Sequence, residues 1–190
     1  MVARSMLIRS LVWLSIFCIS GCIPGIDRYY RPASSEGRVV RSTCSIVALP
    51  KDALELTIDA VVMKVSGKRG VLDVEFHIPE SSTVTLADRD VEIYYGDGRS
   101  VSSFWSFLYY DQISRRSRQV DYDEPLIGAG HQTRYSVIPR IYSAKIHIDD
   151  SRSELFEVHF PSVQVNDVVW EVPVIVFKKE TGFVVYPINC

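Results

Sequence analysis

The feature that most constrains this chain is a hydrophobic period of two, which sets in near Val39 and continues almost to the end. In "ALELTIDAVV" (53–62), Leu54, Leu56, Ile58, Ala60 and Val62 fall on one face, and Glu55, Thr57 and Asp59 on the other. In "VLDVEFHI" (71–78), Leu72, Val74, Phe76 and Ile78 alternate with Asp73, Glu75 and His77. Successive side chains of a strand point to opposite faces, so this alternation reads as half-buried β-strand and not as helix. Pro79 ends the second run, since proline has no N–H to give to a ladder. "DVEIYY", Gly96-Asp97-Gly98 and "RSVSSFWSF" read as a hairpin, and "SGKRG" (66–70) as a turn. "RYSVIPRIYSAKIHID" and "SELFEVHF" add strands. "VQV" and "VVWEV" flank Asn166-Asp167, a pair suited to the positive φ of a tight hairpin. "PVIVF" and "FVVYPI" finish the chain, and only "DQISRR" could form so much as one helical turn. About eight to ten short strands at near-regular spacing predict an all-β, immunoglobulin-like antiparallel β-sandwich, with a small β-barrel as the alternative.

The first residues follow a different rule. In "MVARSMLIRSLVWLSIFCISGC", Arg4 and Arg9 precede an apolar run from Leu11 to Ile19, and small residues follow. A basic start, a short apolar stretch and a small-residue site make an export signal. The run falls well short of the roughly 20 residues that span a bilayer as a helix. Ile19-Ser20-Gly21-Cys22 resembles the lipobox of bacterial lipoproteins. The resemblance implies cleavage between Gly21 and Cys22, diacylglycerol on the Cys22 sulfur and a further acyl chain on its new amino group. Several acyl chains anchor far more firmly than one. Residue 23 is Ile rather than Asp. Within that family this implies transfer to the outer membrane, with the domain on the periplasmic side. Cys18 then lies in the discarded segment as a small apolar group, and a metal or redox pair of Cys18 with Cys22 is the competing reading.

Loss of residues 1–21 removes Arg4 and Arg9 and no acid, so the formal charge moves from −2 to −4. That balance argues against a nucleic-acid surface, which needs a basic patch. Cys44 and Cys190 are left for the folded part. An oxidising compartment and an even count point to one disulfide between them, two free or buried thiols being the alternative. Closing so long a loop would stabilise by roughly 4–5 kcal/mol on the chain-entropy model.

The expected organisation is a signal over 1–21, Cys22 and a flexible tether over 22–37, and one sandwich domain over 38–190. "IPGIDRYYRPASSEG" carries Pro, Gly and Ser without clean periodicity, and Tyr29 and Tyr30 suit either packing on the domain or lipid headgroups. Within the domain, "FWSFLYYDQISRRSRQVDYDEPLIGAGHQ" (104–132) reads as a long connection around 107–132. Connections this long are usually functional or disordered. Aromatic and Arg side chains favour interfaces, so Tyr110, Arg115, Arg116, Arg118 and Tyr122 form the candidate partner-binding surface. The alternative is an insertion that covers a sandwich edge.

Chemistry-bearing groups are sparse. His77, His147 and His159 fall on outward faces, with Glu75 and Glu157 beside two of them. Were those strands neighbours, the two Glu/His pairs could bind zinc. Asp121, Asp123 and Glu124 offer alternate oxygens for calcium, without the Gly and distal Glu of an EF-hand. Gly96-Asp97-Gly98 lacks the Lys-Ser/Thr of a phosphate loop, and no Ser lies in a Gly-x-Ser-x-Gly elbow. We therefore expect no catalytic residue, metal or cofactor. The function expected is binding of an envelope protein from the outer membrane, in an accessory, assembly or protective role. A lipid-anchored binder of a small ligand or metal, or an envelope hydrolase, is the alternative. "EFHIP" (75–79) and "EVHFP" (157–161) echo one another, either by duplication or because alternation followed by proline is common at strand ends.

Overall fold

The computed structural model describes residues 22–41, 52–68, 70–111, 116–121, 123–129, 131–132, 137–149 and 154–187. Among them there is no helix, and the chain is all-β. The strands, in order, are β1 (Cys22–Ala33), β2 (Arg38–Arg41), β3 (Asp52–Ile58), β4 (Val61–Lys68), β5 (Val71–Ile78) and β6 (Thr83–Leu86). Next come β7 (Asp90–Tyr95), β8 (Ser100–Phe104), β9 (Phe107–Asp111), β10 (Arg116–Val120), β11 (Leu126–Ile127) and β12 (His131–Gln132). Then follow β13 (Val137–Ile138), β14 (Arg140–His147), β15 (Leu155–His159), β16 (Val163–Val165), β17 (Val168–Trp170) and β18 (Ile175–Pro187).

By contacts the chain forms two units. The first comprises 1–28, 42–50 and 181–190, and its described residues are the start of β1 and the end of β18. The second comprises 29–41 and 51–180, and it contains β2 to β17 entire together with the rest of β1 and β18.

The main sheet runs β10-β9-β14-β5-β4-β1-β18-β15-β7-β8, with β3 also on β4 and β2 on β3. Strand β4 is where the sheet forks. One edge pairs with β5 along its length. The other edge is shared: Val61–Ser66 pair with β3, whereas Gly67 and Lys68 pair with Tyr30 and Tyr29 of β1. Gly67 lets β1 cross there, because a Cβ at this position would lie 2.8 Å from the Tyr30 Cβ and 3.1 Å from Leu72 Cδ2. Two leaves diverge from the fork, one through β2–β5, β14, β9 and β10, the other through β1, β18, β15, β7 and β8.

The inner faces of the leaves share one core. Leu54, Leu56, Met63, Val65, Leu72, Val74, Phe76 and Ile78 come from the first, and Val91, Ile93, Phe156, Val158, Ile175 and Phe177 from the second. Each such side chain stabilises by about 1.5–3 kcal/mol when fully buried. Tyr30 meets Phe156 edge-on at 4.9 Å, and Phe156 stacks on Phe177 at 5.2 Å. The chain passes from β8 in one leaf to β9 in the other through Trp105 and Ser106. Trp105 is buried at this crossover against Phe76, Phe107 and Phe160, with its Nε1–H donating to the Asp88 carbonyl at 3.2 Å.

A four-stranded sheet, β11-β6-β16-β17, adds Val84, Leu126, Val163 and Val165 to the same core. The two echoed motifs lead into it. After Glu75-Phe76-His77-Ile78, Pro79 lies just past β5 and the chain enters β6; Pro161 follows β15 in the same way, and β16 begins at Val163. The two continuations then pair antiparallel, Val163 with Leu86 and Val165 with Val84. Both prolines sit where the chain leaves a strand of the main sheet, a position that suits a residue without an N–H.

Several expectations need correcting. Residues 22–33 do not form a tether but strand β1, with Tyr29 and Tyr30 buried. The even-numbered stripe from Leu54 to Val62 is broken by a two-residue turn. Asp59 takes a positive φ of 54°, Ile58 pairs with Val61, and the buried set switches to Val61, Met63 and Val65, leaving Val62 outward. A hairpin turn of even length reverses the numbering parity of the inward face, which the run of apolar residues concealed. "SGKRG" is mostly strand, since β4 runs to Lys68 opposite Val71. The final two runs form one strand, β18. The stretch 107–132 is not an irregular connection: it contains β9, β10, β11 and β12.

Candidate functional site

The segment expected to bind a partner is built on a hairpin. Strands β9 and β10 pair from Phe107 with Val120 to Asp111 with Arg116, and β10 is an edge of the main sheet. Phe107 and Val120 are buried, which ties the hairpin to the core. Tyr110 lies in β9 opposite Ser117, and Arg116 opens β10. The Arg118 side chain is exposed and forms an ion pair with Glu124. Leu108, on the other face of β9, is 46% exposed. Arg115 and Tyr122 lie outside the described residues, as do Gly21, Cys44 and Cys190, and Cys22 is the first residue of β1. Asp121 and Glu124 are joined by a turn, the Glu124 N–H donating to the Asp121 carbonyl at 3.1 Å, so Glu124 is engaged twice within its own segment. Tyr142 holds the stretch beyond: its hydroxyl donates to the Ile127 carbonyl at 2.9 Å, and the Arg140 guanidinium lies 4.7 Å over the Tyr109 ring.

The outward face of the first leaf carries a charge ladder. Arg38, Glu55, Lys64 and Glu75 are successive cross-strand partners on β2, β3, β4 and β5. Arg38 Nε donates to Glu55 Oε2 at 3.0 Å, and Lys64 Nζ lies 2.9 Å from Oε1. Burial pushes the Glu55 carboxyl up, but the hydrogen bonds from Lys64 and Arg38, with their charges, outweigh it and hold the group below its ordinary value. Glu75 is also held down, first by its hydrogen bond with His77, whose Nε2 lies 3.0 Å away. Arg38, Glu55 and Lys64 line an open hollow of about 370 Å³ together with Thr57, Val62 and His77. At this hollow the single Glu55 carboxylate is shared between Arg38 and Lys64.

The two Glu/His pairs stay apart. Glu75 and His77 lie on β5, between β4 and β14, whereas Glu157 and His159 lie on β15, between β18 and β7 in the other leaf. His159 Nε2 is 3.7 Å from Glu157 Oε2, and its ring meets Tyr94 at 4.8 Å. His147 ends β14 opposite Val71. Among the described residues no three His, Cys, Asp or Glu side chains group closely enough for a metal ion.

The free edge of β8 was not singled out from the sequence. Among the described residues strand β8 pairs with β7 alone, and it ends the main sheet. The Tyr95 N–H donates to the Arg99 carbonyl at 2.8 Å, and the Trp105 N–H to the Arg89 carbonyl at 3.2 Å. Hydrogen-bonded pairs alternate along an antiparallel ladder, so Val101 and Ser103 bond to β7 while the backbones of Ser100, Ser102 and Phe104 point away from it. The same edge exposes large apolar groups, with Phe104 at 61% and Val101 at 45%. One signal for it was present in the sequence: "SVSSF" has neither charge nor proline to guard an edge. No family model, curated protein or solved structure matches this chain.

Proposed function

We propose that this is a lipid-anchored protein of a bacterial outer membrane, with a periplasm-facing β domain that binds an envelope protein without catalysis. Support for the anchor is the export pattern ending in Ile19-Ser20-Gly21-Cys22. The observation that carries the binding role is the presentation of the β9–β10 hairpin: buried Phe107 and Val120 seat it, while Arg118 and Leu108 face solvent at a sheet edge. A hairpin seated on the core that shows Arg and an aliphatic side chain offers a planar donor and apolar contact area. In this reading the two leaves form an immunoglobulin-like sandwich, supported by the single core their inner faces share.

The test uses the full chain expressed in a Gram-negative host. Intact mass should show loss of residues 1–21 with acyl addition, and Cys22→Ser should abolish both processing and membrane retention. A Cys22→Ser protein that is still cut and still membrane-bound refutes the anchor. Tagged wild type and an Arg115→Ala/Arg116→Ala/Arg118→Ala variant are then compared in pull-downs from solubilised envelopes. Exposed ion pairs contribute about 0–1 kcal/mol, so the variant should melt close to wild type while recovering less partner. Equal recovery by a folded variant moves the binding surface off the hairpin.

A further inference from the structure

We propose that the free edge of β8 pairs antiparallel with β8 of a second copy of this chain, about a two-fold axis at Ser102. The backbone of this edge can accept a further strand. Ser100, Ser102 and Phe104 each direct an N–H and a C=O away from β7, and none of these groups has a partner among the described residues. These exposed groups bond water in the single chain, and another extended chain can replace that water at all three alternate positions along one line.

Among the edge strands of the main sheet, charge favours this one for pairing with its own copy. Strand β10, the other end of the main sheet, carries Arg116 and Arg118, and β2 carries Arg38 and Arg41. Either of these, laid against itself, would set Arg near Arg. Strand β8 reads Ser-Val-Ser-Ser-Phe and carries no charge, so a copy meets no like-charge penalty there. With Ser102 opposite its counterpart, Phe104 lies opposite Ser100 of the second copy and Val101 opposite Ser103. Each large side chain thus faces a small one on the same side of the sheet, and the half-exposed Val101 and Phe104 gain cover. The edge thus fulfils, in its own sequence, what it requires of a partner: extended, uncharged, and small where it is large. A two-fold pairing also closes on itself, so association through β8 stops at a dimer.

This inference does not rest on the lipid anchor or on the β9–β10 surface, and its test is separate from theirs. The full chain, purified in a mild detergent, is followed by sedimentation across a concentration series. Wild type should pass from monomer to dimer. Ser102→Pro removes an N–H that points away from the β7 ladder, and with it the two hydrogen bonds exchanged at the axis. It should weaken the dimer by roughly tenfold or more while leaving the far-UV spectrum unchanged. Ser102→Cys, which keeps the backbone intact, should give a 102–102 linked peptide on mild oxidation. A wild type that stays monomeric up to its solubility limit overturns the proposal. So does a dimer indifferent to a folded Ser102→Pro, or a Ser102→Cys dimer with no 102–102 link.

Discussion

Replacing Trp105 by alanine should reveal how much of the fold depends on the crossover between leaves. The indole is about 1% exposed and lies 5.3, 5.5 and 6.2 Å from the rings of Phe160, Phe107 and Phe76. Phe76 and Phe107 come from the first leaf and Phe160 from the segment between β15 and β16, so they cannot all close on the void together. Deletion of a buried tryptophan to alanine costs about 3–5 kcal/mol, and this site belongs in that range, near 4 kcal/mol. For a chain of this size that lowers Tm by roughly 8–16 °C. Trp105→Phe should cost less, about 1–2 kcal/mol, through loss of the Nε1–H bond to the Asp88 carbonyl and some of the ring. The assay is urea denaturation followed by far-UV circular dichroism, because Trp170 would confuse a fluorescence signal. If Trp105→Ala stays within about 1 kcal/mol of wild type, the crossover is not a packed plug and the two leaves do not share their core through it.

Gly67→Ala should destabilise by about 1–3 kcal/mol, because its Cβ would lie 2.8 Å from the Tyr30 Cβ at the fork; thermal melts measure this, and a neutral result would show that β1 does not pass so closely. The Glu55 carboxyl is lowered in the folded state from an ordinary value of 4.5, so its stabilisation is present above that pH and is lost as pH falls through the lowered value. Urea midpoints of wild type and Glu55→Gln should therefore differ at pH 7 and converge in acid; a gap that widens on acidification contradicts the ladder. Non-reducing peptide mapping of protein from an oxidising compartment should find Cys44 joined to Cys190, and ready alkylation of both thiols without reductant excludes that bridge.

The legible parts of this chain were those decided within a few residues. The inward stripe Leu72, Val74, Phe76 and Ile78 is buried as read, since alternation follows from the pleat alone. The hairpin at Asn166-Asp167 forms as read, Asn166 adopting φ 54°, since a two-residue turn is a local choice of backbone angles. The candidate surface was legible only in part. Composition marked 104–132 as unusual, yet the short strands β9 and β10 were hidden because their alternation is broken by Arg and Tyr. The guardless edge of β8 was overlooked because its significance depends on having no neighbour.

By itself, then, the sequence determined the class of structure and the sidedness of its longer strands, and the pattern at residues 1–22 raised the expectation of export and lipidation. Tertiary structure alone decided that Tyr29-Tyr30 would enter the sheet beside Gly67, that one sheet would fork into two leaves, and that Glu75/His77 and Glu157/His159 would stand on different leaves. The physical reason lies in range. Sidedness is a property of one residue and its neighbours along the chain. Strand order balances loop-closure entropy against the burial of whole faces, and no local window of sequence contains both sides of that balance.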